Sequence, residues 1–202
     1  MSEPIELVLF DIGGVLGSNG WDREQRAEAV NHFGLDPDDF QYRHEEMVGA
    51  LESGEITLDE YLSVTIFGES RDFTPAEFKT FMFAQSEPWP DSIAVVRDLS
   101  ATGVELATLN NESEELNCYR IDRFGLRDIF PTFFSSCWIG ARKPTHAIYN
   151  RVMGMTQANA ARTLFVDDRA QNLSPAAALG MQTVRFQSAS QLRSELRARR
   201  LL

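Results

Sequence analysis

The sequence predicts an α/β protein, a doubly wound parallel sheet with a small α-helical insertion directly after its first strand. Three observations predict it. From about residue 90 onward, short apolar runs alternate with helical patterns, the mark of a parallel sheet covered on both faces. Several of those runs stop at polar residues, at Asp11, at Asn110-Asn111 and at Asp167-Asp168. Between Gly17 and Pro90, in contrast, no strand-like run occurs and helix start signals follow one another.

The chain is organised around residues 5–16. Leu7-Val8-Leu9-Phe10 is too short for a helix and apolar at every position, as a buried parallel strand requires. It stops at Asp11, with Gly13-Gly14 close behind. A carboxylate at the C-terminal end of such a strand stands where open α/β sheets bind ligands. The glycines let the backbone turn away and let a ligand approach it. The insertion begins next. Asp22 is placed to cap a helix that runs to His32-Phe33 and stops at Gly34. Asp36 followed by Pro37 starts a second helix, which carries Phe40, Met47, Val48 and Leu51 and ends near Gly54. Thr57 with Glu60, and Thr74 with Glu77, have the capping-box spacing. Their helices carry Tyr61, Leu62 and Ile66, then Phe78, Phe81 and Met82. Pro88-Trp89-Pro90 is the return hinge, so residues 1–16 and 89–202 form the core domain and residues 17–88 the helical cap domain.

The rest alternates. A helix over 92–101 ends at Gly103, a strand covers 104–109, and a helix over 114–124 ends at Gly125. Residues 133–136 make a weak strand and 140–144 a loop, after which Thr145 caps a helix to about Met153. A strand over 163–166, a helix stopped by Gly180, a strand over 182–186 and a final helix over 191–202 complete the pattern. Arg193, Arg197, Arg199 and Arg200 on that last helix complement its dipole.

Composition excludes several classes. Apolar residues make up 43%, enough for a core and too many for a disordered chain. A net charge of −11 argues against nucleic acid or an anionic membrane as partner. Cys118 and Cys137 form neither a framework nor a metal-spaced cluster; both are expected as small core residues in a reducing compartment. Met1-Ser2-Glu3-Pro4 lacks a basic-then-apolar segment, and no run approaches the ~18 apolar residues of a membrane span, so a cytoplasmic location is expected. His32, His44 and His146 show no metal-ligand spacing and are expected as solvated or capping residues. Trp21, Trp89 and Trp138 are expected in core or hinge packing, and Phe67, Phe73 and Phe83 in cap packing.

Because parallel strand ends converge along one sheet edge, Asp11, Asp167 and Asp168 should share a crevice with Lys143, which lies in a loop stiffened by Pro144. Three such carboxylates, left unpaired, would take up protons. A hard divalent cation removes the conflict, and Mg²⁺ suits carboxylates, a backbone carbonyl and waters. With one ammonium and one divalent cation the three carboxylates are neutralised, so a phosphate dianion meets no net repulsion.

Phe-Asp-Ile-Gly-Gly-Val-Leu, Leu-Asn-Asn, Arg-Lys-Pro-x-x-x-Ile-Tyr and Phe-Val-Asp-Asp-x-x-x-Asn with Leu-Gly-Met after it, in that order, resemble the four motifs of the haloacid dehalogenase-like hydrolase superfamily. The insertion resembles the small α-helical cap of one of its subfamilies. The resemblance implies a Rossmann-like core and an Mg²⁺-dependent phosphomonoester hydrolase of a small phosphorylated metabolite, such as a sugar phosphate. Asp11 would be the nucleophile that becomes an aspartyl-phosphate. Lys143 would neutralise it, the Gly13 carbonyl and Asp168 would join Asp11 around the metal, and Asp167 would be a further ligand or support the ligands from behind. Asn110, Asn111 and Gly14 would contact the substrate, with Asn172 and Arg142 in support.

Two positions depart from the family pattern. Gly13 stands where the phosphatases usually carry a second aspartate, the general acid-base, and Asn110 where Ser or Thr is usual. Losing a positioned acid typically costs about 10²–10⁴-fold in rate. A catalytically weak relative that binds phosphorylated ligands or a protein is therefore one alternative. A metal-independent 2-haloacid dehalogenase is another, against which the acidic pair Asp167-Asp168 speaks.

Overall fold

The computed structural model describes residues 4–202, and the expectation for Met1-Ser2-Glu3 lies outside them. Strand β1 (Leu7–Phe10) is followed by helices α1 (Arg23–Phe33), α2 (Pro37–Glu52), α3 (Leu58–Thr65) and α4 (Pro75–Ala84). Then come α5 (Pro90–Ser100), β2 (Glu105–Asn110), α6 (Glu114–Arg123), β3 (Thr132–Ser135) and the short α7 (Ser136–Ile139). The chain closes with α8 (His146–Thr156), β4 (Thr163–Asp167), α9 (Ala170–Ala178), β5 (Gln182–Arg185) and α10 (Ala189–Ala198). Among the described residues, the strands form one parallel sheet in the order β3-β2-β1-β4-β5.

Alternation along β1 explains why both faces are covered. Val8 and Phe10 point into a cluster with Val96 and Leu99 of α5 and Leu192 and Leu196 of α10. Leu7 and Leu9 point the other way, to Ile148 and Val152 of α8 and Leu173 and Ala176 of α9. β1 is therefore the central strand, and the register Leu9 with Ala107 and Phe165 aligns the ends of β1, β2 and β4.

The insertion folds on its own signals. Both capping boxes are present, Thr57 with Glu60 and Thr74 with Glu77, each cap being worth about 1 kcal/mol. The Asp36 side chain accepts from the amides of Asp38 and Asp39, and Gly34 closes α1 in the left-handed conformation. Trp21, Phe40, Tyr61, Leu62, Phe78 and Met82 form a third buried cluster, which Leu116 of α6 enters from the core. Phe33, Phe73 and Phe78 stack around it at centroid distances of 4.4 to 6.1 Å. The outgoing and returning chains are laced together: Ser18 N donates to Glu87 O at 2.9 Å and Trp89 N to Leu16 O at 2.8 Å. A Cβ at Gly17 would lie 2.5 Å from the Glu87 carbonyl, so only glycine allows that crossing.

Several expectations are corrected. Ser136 leaves the third strand and opens α7, where its hydroxyl accepts from Glu112 N at 3.1 Å. The last helix covers Ala189–Ala198 rather than 191–202. Arg193 pairs with Asp98 at 2.6 Å and Arg199 with Glu195, so two of its arginines answer carboxylates. Cys118 and Cys137 are half-buried rather than core residues. Trp138 is exposed and only donates to Glu114, because α7 turns it outward, while Trp21 is buried and Trp89 stacks on Phe186. His44 is buried rather than solvated, because α3 brings Tyr61 against it.

Candidate active site

The aligned strand ends bring Asp11, Asp167, Asp168 and Lys143 together. Lys143 Nζ lies 2.9 Å from Asp11 Oδ2 and 2.7 Å from Asp167 Oδ2, with all three side chains largely buried. Burial alone would lower the Lys143 ammonium, but Asp11 and Asp167 outweigh it and hold the group charged. Asp11 Oδ1 accepts from the Ile12 amide at 2.8 Å, which fixes the carboxylate at the strand end. Burial pushes the Asp11 carboxyl well up, with Lys143 opposing.

The acidic pair divides its work. Asp167 accepts from Arg169 N, from Asn172 Nδ2 on both of its oxygens and from Lys143 Nζ, so its oxygens are saturated. Although burial opposes it, that set of donors holds Asp167 below its ordinary value. Asp168 is different. Its Oδ1 is buried without a hydrogen-bond partner, and burial together with Asp167 raises its carboxyl. One ligand oxygen from each of Asp11, Asp167 and Asp168 lies within 4.8 Å of the others. An orphaned carboxylate oxygen beside two further carboxylates fits a hard divalent cation.

Two residues expected at the substrate already have partners within the chain. Asn110 is 2% exposed, its Nδ2 donating to Asn117 and its Oδ1 accepting from Ser135, so the side chain is tied into the sheet edge away from the cavity. The Gly14 amide donates to Gly17 O at 2.8 Å. Gly14 has φ +69°, and a Cβ there would lie 2.5 Å from Asp168 Oδ2, so this glycine makes room for the second carboxylate. Asn111 does face the cavity, and it clamps the Lys143 backbone, accepting from its N at 2.8 Å and donating to its O at 2.9 Å. Its neighbour Pro144 follows a cis peptide.

A cavity of about 300 Å³ opens above Asp11 and Lys143, walled by Gly13 and Asn111 from the core and by Arg26, His44 and Glu52 from the insertion. Sequence reasoning missed much of this wall. Glu112 and Arg120 form a buried ion pair at 3.0 Å beside Gly13, and burial, opposed by Arg120, pushes Glu112 up to about 7. Arg142 reaches Glu52 at 3.1 Å and Arg169 reaches Asp22, so core arginines on either side of the acidic site grip the insertion. The motif sequence Asp-Asp-Arg and Arg-Lys-Pro held that signal, but the partners are remote in the chain.

His44 supports a prediction. Its Nδ1 is 2.8 Å from Tyr61 Oη, and burial, then Arg26, push its pKa down to about 4, with Asp22 opposing. The unfolded chain takes up the proton first, so this contribution is complete above about 6.5 and is lost as pH falls toward about 4. Denaturant unfolding should show a loss of about 3 kcal/mol across that window, which His44→Gln removes. Equal slopes in both proteins would refute the buried neutral imidazole.

A family model described as haloacid dehalogenase-like hydrolase matches residues 5–180. The chain belongs to that family. This haloacid dehalogenase-like hydrolase is 25% identical over 179 residues to the sesquiterpene phosphatase AstK of Aspergillus oryzae, covering 87% of the chain and 76% of the relative. It is 27% identical over 138 residues to flavin mononucleotide hydrolase 1 of Arabidopsis thaliana, covering 68% of the chain but only 56% of that protein. Its fold matches a haloacid dehalogenase-family enzyme of Bacteroides thetaiotaomicron at TM-score 0.82 and 20% identity, over 94% of this chain and 98% of that one. A second structure of the Bacteroides enzyme, in complex with magnesium and inorganic phosphate, superposes at TM-score 0.75 and 20% identity, over 93% of this chain and 98% of that one. Among the described residues no helix of this hydrolase is long and apolar enough to cross a membrane.

Proposed function

We propose that this hydrolase is an Mg²⁺-dependent phosphomonoesterase of a small phosphorylated metabolite, working in the cytoplasm, with residues 17–88 as its cap and residues 1–16 and 89–202 as its core. The observation that carries the reading is the buried Asp11-Lys143-Asp167 cluster with the unpartnered Asp168 oxygen beside it. The activities of the sesquiterpene phosphatase and the flavin mononucleotide hydrolase it resembles, and the magnesium and phosphate bound by the Bacteroides enzyme, support it.

Asp11, Asp168 and the Gly13 carbonyl would hold Mg²⁺, while Asp167 anchors Lys143. When bound, the ion neutralises and orients the phosphoryl oxygens. An Asp11 carboxylate oxygen attacks phosphorus as the bond to the leaving oxygen breaks, giving an acyl phosphate. The alkoxide released takes its proton from solvent; water then attacks that phosphorus, giving up a proton, the bond to Asp11 breaks and the carboxylate returns. Lys143, positioned through its backbone by Asn111, balances the charge in both steps, and the cap keeps bulk water out. Phosphate release from a panel of phosphomonoesters should require Mg²⁺, vanish with chelator and return on adding the ion back. Release that ignores chelator would end the metal assignment.

Gly13 favours a second reading, a relative that binds phosphorylated ligands without turning them over. Stabilisation by such a ligand with no release on long incubation would select it. The space at Gly13 allows a direct check. A Cβ there would lie 3.4 Å from Asn19 Oδ1 and 3.8 Å from Arg120 Nη1, ordinary contact distances. Gly13→Asp should raise the rate on alkyl phosphates by up to about 10²-fold and on nitrophenyl phosphate far less, because only the alkoxide needs a proton. An equal change on both would remove the missing acid as the explanation.

A further inference from the structure

The cavity extends from the acidic cluster to a second polar end built by the cap. Its cations are almost all answered. Lys143 has Asp11 and Asp167, Arg120 has Glu112, Arg142 has Glu52 and Arg169 has Asp22. Arg26 is the exception: among the described residues no carboxylate pairs with it. It is 9% exposed, its Nη1 donates to the Trp21 carbonyl at 2.9 Å, its Nη2 reaches only the neutral Gln41 Oε1 at 3.5 Å, and its Nε is buried without an acceptor. A buried guanidinium held only by neutral acceptors is costly unless an anion arrives.

A second donor stands in the same wall. The Trp21 indole, which can only donate, gives its hydrogen to Tyr61 Oη at 3.1 Å. The Tyr61 hydrogen is then directed at His44 Nδ1, 2.8 Å away, which accepts it. In that tautomer the ring hydrogen of His44 sits on Nε2, which has no hydrogen-bond partner among the described residues and belongs to a residue of the cavity wall. Burial keeps the ring neutral, so it offers a hydrogen without adding a charge.

We propose that the substrate carries, besides the phosphoryl group that is transferred, a second oxyanion that ion-pairs with Arg26 and accepts a hydrogen bond from His44 Nε2. The class is a small phosphorylated carboxylate or a bisphosphate, within a cavity of about 300 Å³. This rests on the phosphomonoesterase reading, and it names what that reading leaves open.

Two matched pairs test it: 3-phosphoglycerate against glycerol 3-phosphate for a carboxylate, and fructose 1,6-bisphosphate against fructose 6-phosphate for a second phosphate. In wild type, kcat/KM for the doubly anionic member of at least one pair should exceed its partner by about 10–100-fold, the usual worth of a charged hydrogen bond. The pair that discriminates identifies the oxyanion. Arg26→Gln and Arg26→Lys should lower the ratio, the glutamine most, and His44→Gln should lower it less. Calorimetric binding of the same four compounds to Asp11→Asn needs no turnover. Where wild type hydrolyses none of them, the phosphomonoesterase reading is decided by the wider panel, and the second oxyanion is judged on binding alone. Equal affinity within both pairs, no binding by any of the four, or a ratio unchanged by Arg26→Gln overturns the inference. Should both Arg26 variants fail to fold, the wild-type ratios decide it.

Discussion

Asp11→Asn should lose phosphate release by on the order of 10⁴-fold or more, as removal of other covalent nucleophiles does. The substitution keeps the shape of the side chain and its contact to the Ile12 amide, but an amide oxygen forms no acyl phosphate. Stability should move the opposite way. Asp11 is 8% exposed, and burial, helped by Asp167 and Asp168, disfavours its charge more than Lys143 favours it. Without Mg²⁺ the variant should therefore melt no lower than wild type. Rapid quenching during turnover followed by mass spectrometry should find the phosphoryl adduct on wild-type Asp11 and not on the variant. Full activity in Asp11→Asn would remove the covalent mechanism together with its nucleophile.

Lys143→Met should damage both folding and rate. The ammonium is the shared partner of Asp11 and Asp167, at 2.9 and 2.7 Å, with all three side chains largely buried at the cavity floor. Deleting one member of a buried ion cluster typically costs about 3–5 kcal/mol, because the charges left behind stay unpaired. The deficit should shrink as pH falls through the carboxylate range, where those groups take up protons, and it should shrink when Mg²⁺ is added. The rate should fall by about 10²–10³-fold, the usual loss on removing one charge-stabilising donor. Lys143→Arg should rescue little, since a planar fork does not fit where a compact ammonium bridges two carboxylates. A Lys143→Met protein as stable as wild type at neutral pH would show that the cluster is not held by this charge.

What proved legible in the chain was local. The apolar run Leu7–Phe10, the boxes at Thr57 and Thr74, the Asp36-Pro37 start and the glycines that close helices are short-range signals, and each forms as its residues dictate. The convergence of Asp11, Asp167, Asp168 and Lys143 was legible as well, because parallel strands in register bring their ends together. The rest depended on side-chain pairings that no local pattern reveals. Nothing around Asn110 announces that Asn117 and Ser135 take up its amide, and nothing around His44 announces Tyr61. The fourth motif left open whether Asp167 joins Asp168 at a metal, and it is Asn172, Arg169 and Lys143 that saturate Asp167 while an oxygen of Asp168 stays bare.

The sequence alone determined the sheet, the place of the insertion and the residue types at the strand ends, because hydrophobic period, capping and turn chemistry act over a few residues. Only the tertiary structure decided which donors are spent inside the protein and which remain for a ligand. Glu112 finds its partner in Arg120 on the next helix, Arg26 finds only the neutral Trp21 carbonyl and Gln41, and Arg142 meets Glu52 ninety residues away; such side-chain pairings leave no periodic trace in the chain.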